Sequence, residues 1–494
     1  MTTTTDDRCT LVLDIGKSNA RLVLIDAAGE VVARRSQASA GRHDATLDAT
    51  VLDVEQLQAW LRRDIAGLPA PQRARIDRLS ITTHGAAFCG LSGDGPDAQL
   101  ALAPIDYEWD GYDAEFLAAE RAEADPFDHT GSPALPMGLN AGRPLRWVQT
   151  RHPALWERAR VWLPYAQYWA WWFSGVACSE VSSLGCHTGL WSPVERGPSA
   201  WARRTGLAER LAPLRAAWET VGRVRPALAA ALGLPEGVRV LAGSHDSNAC
   251  LARHLATAAD ATVVSTGTWC IVMAPGAPID GLDAARDQLV NIAVDGRPVP
   301  TGRFMGGREF AAICGDSDPA WATVPALREV LAQGWTALPA FAEAGGPFVG
   351  QRGRVLRHGQ PVEAGLAAVP AALRPALAAL YCALMLAWMV EHLAAGARAE
   401  TPVLLEGPLA TNPAHVAALA ALLAPRPLQV STDPLEGTAR GAWMLAHWPA
   451  SPHAPAAPPV LPTADLQLAP ALQALARQWQ RHSELNRVES AAAG

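Results

Sequence analysis

The sequence predicts an α/β protein made of two related domains that share a ligand cleft, and three observations carry that prediction. A strand, a glycine-containing polar turn and a second strand occur twice, about half the chain apart, around Gly16 and around Gly267. Each pair is followed by a similar succession of helix and strand. The chain has 494 residues, 49% hydrophobic and 18% charged, which is the composition of a globular protein large enough for more than one core.

Taken in order, residues 11–14 and 21–25 are Leu- and β-branched-rich runs on either side of Gly16-Lys17-Ser18-Asn19, the pattern of a hairpin with a tight polar tip. A third strand is predicted over 31–35. Residues 54–65 have helical periodicity, and 78–83 read as a strand ending at Thr83-His84-Gly85. Pro/Gly punctuation over 131–144 and 233–237 marks loops, and the strand 238–242 is expected to open the second half. There, 262–273 repeat the strand, turn and strand. A helix around 370–394, a strand over 403–405 and a helix over 413–423 complete the parallel. The predicted domains are 1–240 and 241–450. The remainder, 451–494, is a linker and tail, with Ala/Pro-rich sequence over 449–462 and an amphipathic segment over 465–482.

Composition removes several function classes. Lys+Arg 41 against Asp+Glu 48 gives a net charge of −7 without a block of one sign, so nothing recruits a nucleic-acid backbone. The 8 cysteines show no C-x-x-C and no zinc spacing, and read as reduced, mostly buried thiols. The polar, acidic start lacks the apolar run of a secretory signal, and a cytoplasmic protein is expected. Two apolar stretches, 161–178 and 376–390, are too interrupted or too short to span a membrane and read as buried helices. The expected partner is a small molecule, with neither nucleic acid nor membrane; homodimerisation is left open. Lys17 is the chain's only lysine and falls in its most motif-like loop, where a compact, rotatable ammonium differs from a planar guanidinium.

Four constellations carry candidate chemistry. Asp14-x-Gly16-x-Ser18-Asn19-x-Arg21 offers amide N–H groups and a hydroxyl to an anion, and an aspartate at a strand end that can hold hydrated Mg2+. The same residues also make an ordinary hairpin tip. Ser265-Thr266-Gly267-Thr268 occupies the corresponding place in the second half, so the two tips could grip adjacent phosphates of a nucleotide. Gly243-Ser244-His245-Asp246-Ser247-Asn248 lies between a strand and an apolar helical run. Asp246 reads there both as a helix cap and as a general base for a hydroxyl attacking phosphorus. Residues 405–413 pass from strand to helix through Gly407-Pro408 and Asn412-Pro413, a helix start that favours a nucleotide and is also the ordinary way to begin a helix. No P-loop motif and no strand-linked G-x-G-x-x-G is present.

In this order and at these distances the four resemble the FGGY carbohydrate kinases, the sugar-kinase branch of the actin-like ATPase superfamily. The resemblance spans about residues 10–447. It is nearest in 234–246, in 265–269 and in Glu436-Gly437-Thr438-Ala439-x-Gly441-Ala442. It implies two actin-like (ribonuclease H-like) domains with an interdomain catalytic cleft. The implied activity is ATP- and Mg2+-dependent phosphorylation of a sugar hydroxyl, a terminal one of a rhamnulose-, fuculose- or xylulose-like ketose.

The resemblance also implies residue roles. Asp246 matches the catalytic base and Asp14 the Mg2+/phosphate aspartate. Gly16, Lys17, Ser18, Asn19 and Arg21 line a first phosphate loop, and Thr266, Gly267 and Thr268 a second. Gly306 and Gly307 frame the nucleotide, while Gly407, with Asn412, opens the adenosine loop. His84, Asp110 and His245 join Asp246 on the sugar side. The sequence departs from the family in keeping only Gly407 of its glycine run, and in Arg143-Pro144-Leu145-Arg146-Trp147, where the family signature has a lysine. Lys17 stands where many relatives carry a small or hydroxyl residue, a variant nearer the rhamnulose- and fuculose-kinase side. Two other readings are a non-catalytic sugar or nucleotide sensor, disfavoured because Asp14 and Asp246 are both present, and an actin/chaperone-like ATPase, disfavoured by the substrate-side motifs between 84 and 147.

Overall fold

The two apolar runs around Gly16 pair as predicted in a computed structural model, which describes residues 7–255, 260–343, 345–348, 350–398, 400–431, 437–448 and 467–492. Strands β1 (Cys9–Ile15) and β2 (Asn19–Asp26) run antiparallel with Asp14 opposite Arg21. β3 (Val31–Ala38) continues the meander. Helix α1 (Val54–Ala66) starts at Asp53, whose side chain accepts a bond from Gln56 N, and it buries Leu57, Trp60, Leu61 and Ile65. β4 (Ile76–Thr83) then lies parallel to β1, which is why β1 is buried at every position.

Further strands β5 (Thr220–Arg223), β6 (Arg239–Leu241) and β7 (Ser244–His245) complete a seven-stranded sheet. Its order is β5-β6-β4-β1-β2-β3, with β7 beside β4. β1, β4 and β7 are mutually parallel through β4, and helix α2 (Asp246–Leu255) follows β7 directly. The carboxyl ends of these strands therefore bring Asp14, His84 and Asp246 to one edge of the sheet, the edge at which open α/β sheets bind ligands.

The chain divides into two compact units after residue 257 rather than at the expected 240. Residues 241–255 belong to the first, because β7 pairs with β4, with Ser244 opposite Thr82 and His245 opposite Thr83. The apolar stretch 161–178, expected as one helix, divides into a strand, Val161–Pro164, and a helix, Tyr165–Ser174. Pro164 cannot donate a helical hydrogen bond and stands just before the helix, where that costs nothing.

The second unit repeats the arrangement. β8 (Thr262–Ser265), β9 (Cys270–Met273) and β10 (Pro298–Phe304) form an antiparallel meander, and helix α3 (Gly306–Cys314) follows. Helix α4 (Arg374–Leu393) precedes β11 (Val403–Glu406), helix α5 (Pro413–Leu423) and β12 (Leu428–Val430). Five strands of a six-stranded sheet run β10-β9-β8-β11-β12, with β11 parallel to both neighbours, matching β3-β2-β1-β4 of the first unit. By length and composition one helix, Ala371–Leu393, is apolar enough to cross a membrane, but 89% of its most apolar window is buried inside the protein. Leu377, Leu380 and Leu384 from it share a core with Val264, Phe304 and Leu405.

Beyond β12 the chain returns to the first unit as helix α6 (Gly437–Leu445), which packs on α2. Gly437 and Gly441 permit the approach. A Cβ on Gly437 would meet Cys250 Sγ at 3.0 Å, and one on Gly441 would meet the Ala249 carbonyl carbon at 2.5 Å. Ala439, Ala442, Trp443 and Met444 share a core with Val12, Val23 and Ile25, while Ser80 Oγ donates to Ala442 O at 2.6 Å. Helix α7 (Ala469–Ala492) belongs to the second unit, where Trp479 Nε1 donates to Ala337 O at 2.8 Å. The predicted linker 449–462, Asp465 and Glu436 lie outside the described residues. All eight cysteines are buried free thiols.

Candidate active site

Asp246 is the first residue of α2, and its two oxygens differ. Oδ1 accepts from Ser247 N at 2.6 Å and from Ser247 Oγ at 3.3 Å, and lies 3.1 Å from His245 Nε2. Oδ2 accepts no hydrogen bond among the described residues. The carboxylate is thus anchored at the helix start without reaching into the first turn as a full cap would. Desolvation raises its pKa above the usual aspartate range, and His84, the Ser247 bonds and Arg21 pull it partly back.

His245, assigned by sequence to the sugar side, stands against Asp246, with Nε2 3.1 Å from its Oδ1. It is buried, and burial pushes its pKa down to about 4, so the ring is neutral. Asn248 Nδ2 lies 3.1 Å from Nδ1, which fits the tautomer with the proton on Nε2, aimed at Asp246 Oδ1. Cys186 Sγ lies 3.2 Å from the same Nε2. Behind them, His245 N donates to Ser182 Oγ at 3.3 Å, and that hydroxyl donates to Glu180 Oε2 at 2.7 Å. Glu180 is fully buried and also accepts from the amides of Ser182 and Ser183 and from Ser183 Oγ. Burial pushes its pKa up to about 7 against those four bonds. Nothing in the sequence marked Glu180 or Ser182, because their significance lies in a partner about sixty residues away.

At the hairpin tip, Gly16 N donates to Asn19 O at 2.9 Å, and Ser39 clamps the turn from Gly16 O and Ser18 O. Ser18 and Asn19 are exposed. Asp14 is buried, with Arg21 Nε 3.5 Å from its Oδ2. His84 is buried against Tyr107 and Tyr165, and burial lowers its pKa. Lys17, expected among the phosphate ligands, turns to the segment 106–108, where Nζ donates to Asp106 and lies 3.3 Å from Glu108 Oε2. Asp110, the predicted hydroxyl contact, is exposed and unpaired among the described residues. The buried acid of that segment is Asp106, which sequence reasoning passed over.

Three segments of the second unit converge. Gly407 adopts φ 85° and ψ −170°, open only to glycine at low cost, and lies against Thr266, whose amide and hydroxyl both donate to Glu406 O. Leu409 N donates to Thr266 Oγ1 at 3.1 Å, so Thr266 builds the junction and Thr268 is the exposed hydroxyl of the turn. Gly307 N donates to Thr268 O at 3.3 Å, and a Cβ on Gly307 would come within 2.5 Å of Gly267 O. Gly306 is equally confined, by Cys270. The N-terminus of α3 is therefore pressed against the second polar turn, a concentration of amide groups suited to phosphate. Asn412 caps α5 through its Oδ1 to His415 N at 2.9 Å, which is the ordinary helix start.

Known proteins match both halves. The model of the FGGY family of carbohydrate kinases, N-terminal domain, matches residues 114–252, and that of carbohydrate kinase FGGY, C-terminal domain, matches 258–455. A crystal structure of a carbohydrate kinase from Novosphingobium aromaticivorans is 34% identical with a TM-score of 0.83, covering 97% of this chain and 99% of that one. L-fuculokinase of Escherichia coli K12 is 27% identical over 280 residues, 55% of this chain and 57% of the relative, so the chain spans about half the length of the curated relatives it matches. A ligand-bound xylulose kinase from Lactobacillus acidophilus, 14% identical with a TM-score of 0.79 over 99% of this chain and 100% of that one, shares the fold.

Proposed function

Because the chain belongs to the FGGY family of carbohydrate kinases, we propose that it transfers the γ-phosphoryl group of ATP to a terminal hydroxyl of a ketose, with Asp246 as general base. The observation that carries this reading is the divided carboxylate of Asp246: Oδ1 is held by Ser247 and by neutral His245, and Oδ2 is unengaged among the described residues. In the proposed step Oδ2 takes the hydroxyl proton as the sugar's hydroxyl oxygen bonds to phosphorus and the bond from phosphorus to the ADP oxygen breaks. The raised pKa of Asp246 strengthens it as a base near neutral pH. His84 would line the sugar side.

The donor set suits Mg2+ of the kind found beside nucleotides. Among the described residues no group of three His, Cys, Asp or Glu could cage a metal, so a cation would take a single carboxylate and keep its waters and phosphate oxygens. Asp14 is the residue that would hold it, and the cation would supply neutralising charge to the phosphates. Within the first unit, Arg21 and the tip amides are the groups suited to phosphate; within the second, Thr268 and the Gly306 amide are, with the Gly407 turn suited to the nucleoside.

ADP release is measured with L-fuculose, L-rhamnulose and D-xylulose in turn. Sugar-dependent release is expected; sugar-independent release would make the protein an ATPase, and sugar binding without release a sensor. Asp246→Asn is expected to lower kcat by about 10²–10⁴-fold with sugar binding nearly intact. Turnover retained within a few-fold rejects Asp246 as the base.

A further inference from the structure

Lys17 belongs by sequence to a phosphate loop, yet its side chain is spent elsewhere. Nζ donates to Asp106 Oδ1, lies 3.3 Å from Glu108 Oε2 and sits 4.8 Å from the centre of the Tyr107 ring. An ammonium has three donors, and two carboxylates and an aromatic face surround this one. Its side chain is 23% exposed and that of Asp106 only 11%, so the pair is largely out of water.

Asp106 is itself fixed. Its amide donates to Thr50 O, its carbonyl accepts from Trp109 N, and its Oδ1 accepts from Glu108 N, each at 2.9 Å. Oδ2 accepts no hydrogen bond among the described residues. The segment also reaches the residues around the proposed base: the Tyr107 ring meets His84 edge-on at 5.5 Å, and His84 feels the charges of Asp246, Lys17 and Asp106 together.

We propose that Lys17 is a specificity-determining residue for the sugar rather than a ligand of phosphate, and that its pairing with Asp106 and Glu108 selects a neutral polyhydroxy ketose over sugar acids and sugar phosphates. This rests on the kinase reading above. Two consequences of the geometry support it. Asp106 is held at Oδ1, and its Oδ2, which accepts no hydrogen bond among the described residues, would take one from a sugar hydroxyl. One cation against two carboxylates leaves the wall with a net negative charge, which repels an anionic substrate and not a neutral one. The choice of lysine in a chain otherwise using arginine fits this role, since a compact ammonium enters between two carboxylates where a planar fork would displace one of them.

The test compares wild type, Lys17→Met, Asp106→Asn and the double variant on L-fuculose, D-xylulose and D-gluconate, with KM measured separately for sugar and ATP. In wild type, kcat/KM for D-gluconate is expected at least about 100-fold below that of the better ketose. Lys17→Met should raise the ketose KM about 10-fold or more and move the ATP KM less than about 2-fold. The double variant should be no worse than the poorer single one, since both remove one interaction. If Lys17→Met does not fold, Lys17→Arg is measured instead, with the same split between the two KM values expected. A raised ATP KM with unchanged sugar KM overturns the inference and returns Lys17 to the phosphates; comparable turnover of D-gluconate overturns the charge selection. Failure of the kinase reading is distinguishable, because wild type would then show no sugar-dependent ADP release on any probe, which overturns both.

Discussion

Replacing Gly407 by alanine tests whether the three converging segments of the second unit serve the nucleotide. The added Cβ would lie 2.8 Å from both the carbonyl carbon and Oγ1 of Thr266, and closer still to the carbonyl oxygen, where 3.0 Å is the floor for real contacts. The backbone at φ 85° and ψ −170° adds strain of about 1–3 kcal/mol for any residue with a side chain. Relief requires Thr266 to draw back, which loosens its bonds to Glu406 O and from Leu409 N, each worth about 1 kcal/mol. If about 1.4–2.8 kcal/mol of this total falls on nucleotide affinity, the ATP KM rises about 10- to 100-fold. A coupled ADP assay gives that KM, with the sugar KM as internal control and a thermal melt for the structural share. An ATP KM within twofold of wild type together with an unchanged melting temperature refutes the assignment of this junction to the nucleotide.

Glu180 titrates at about 7 in the folded chain against 4.5 for an ordinary glutamate, so it binds its proton more tightly when folded. Its contribution to stability is therefore full below about pH 4.5 and lost as pH rises through 7, an effect of about 3 kcal/mol at most. Wild type minus Glu180→Gln, followed by urea unfolding from pH 5 to 8, should show that decline, and a flat difference refutes it. Gly441→Ala forces a methyl group against the Ala249 carbonyl and should cost about 1–3 kcal/mol by overpacking. Because α2 begins at Asp246, kcat should fall more than the sugar KM; an unaltered melt and kcat would show that the two helices part freely.

Elements with a local cause were legible in the sequence. The hairpin around Gly16, its echo around Gly267 and helix α5 follow from periodicity and turn chemistry, and the structure places them within a few residues of expectation. The places of Asp14 near the end of β1 and of Asp246 just after β7 were also legible, because strand ends can be read. The rest depends on tertiary pairing. Asp106 and Asp110 look alike in Asp106-Tyr107-Glu108-Trp109-Asp110, yet the first is buried, with its amide bonded to Thr50 O and its carboxylate to Lys17, while the second is exposed. Lys17 meets its carboxylate 89 residues away, beyond any local pattern. Gly437 and Gly441 lie in a stretch where the resemblance is nearest, but their purpose, close contact with α2, appears only in three dimensions.

The return of α6 to the first unit has a consequence for synthesis. Val12, Val23 and Ile25 leave the ribosome long before Trp443 and Met444, which cover them and emerge only after most of the second unit. Throughout that interval the nascent first unit carries an uncovered oily face, so it cannot mature on a first-come basis as a contiguous N-terminal module would. A fragment cut at residue 255 keeps Asp14, His84 and Asp246 yet lacks the lid over its own core. Vectorial translation thus makes the second unit an obligatory passenger in the maturation of the first.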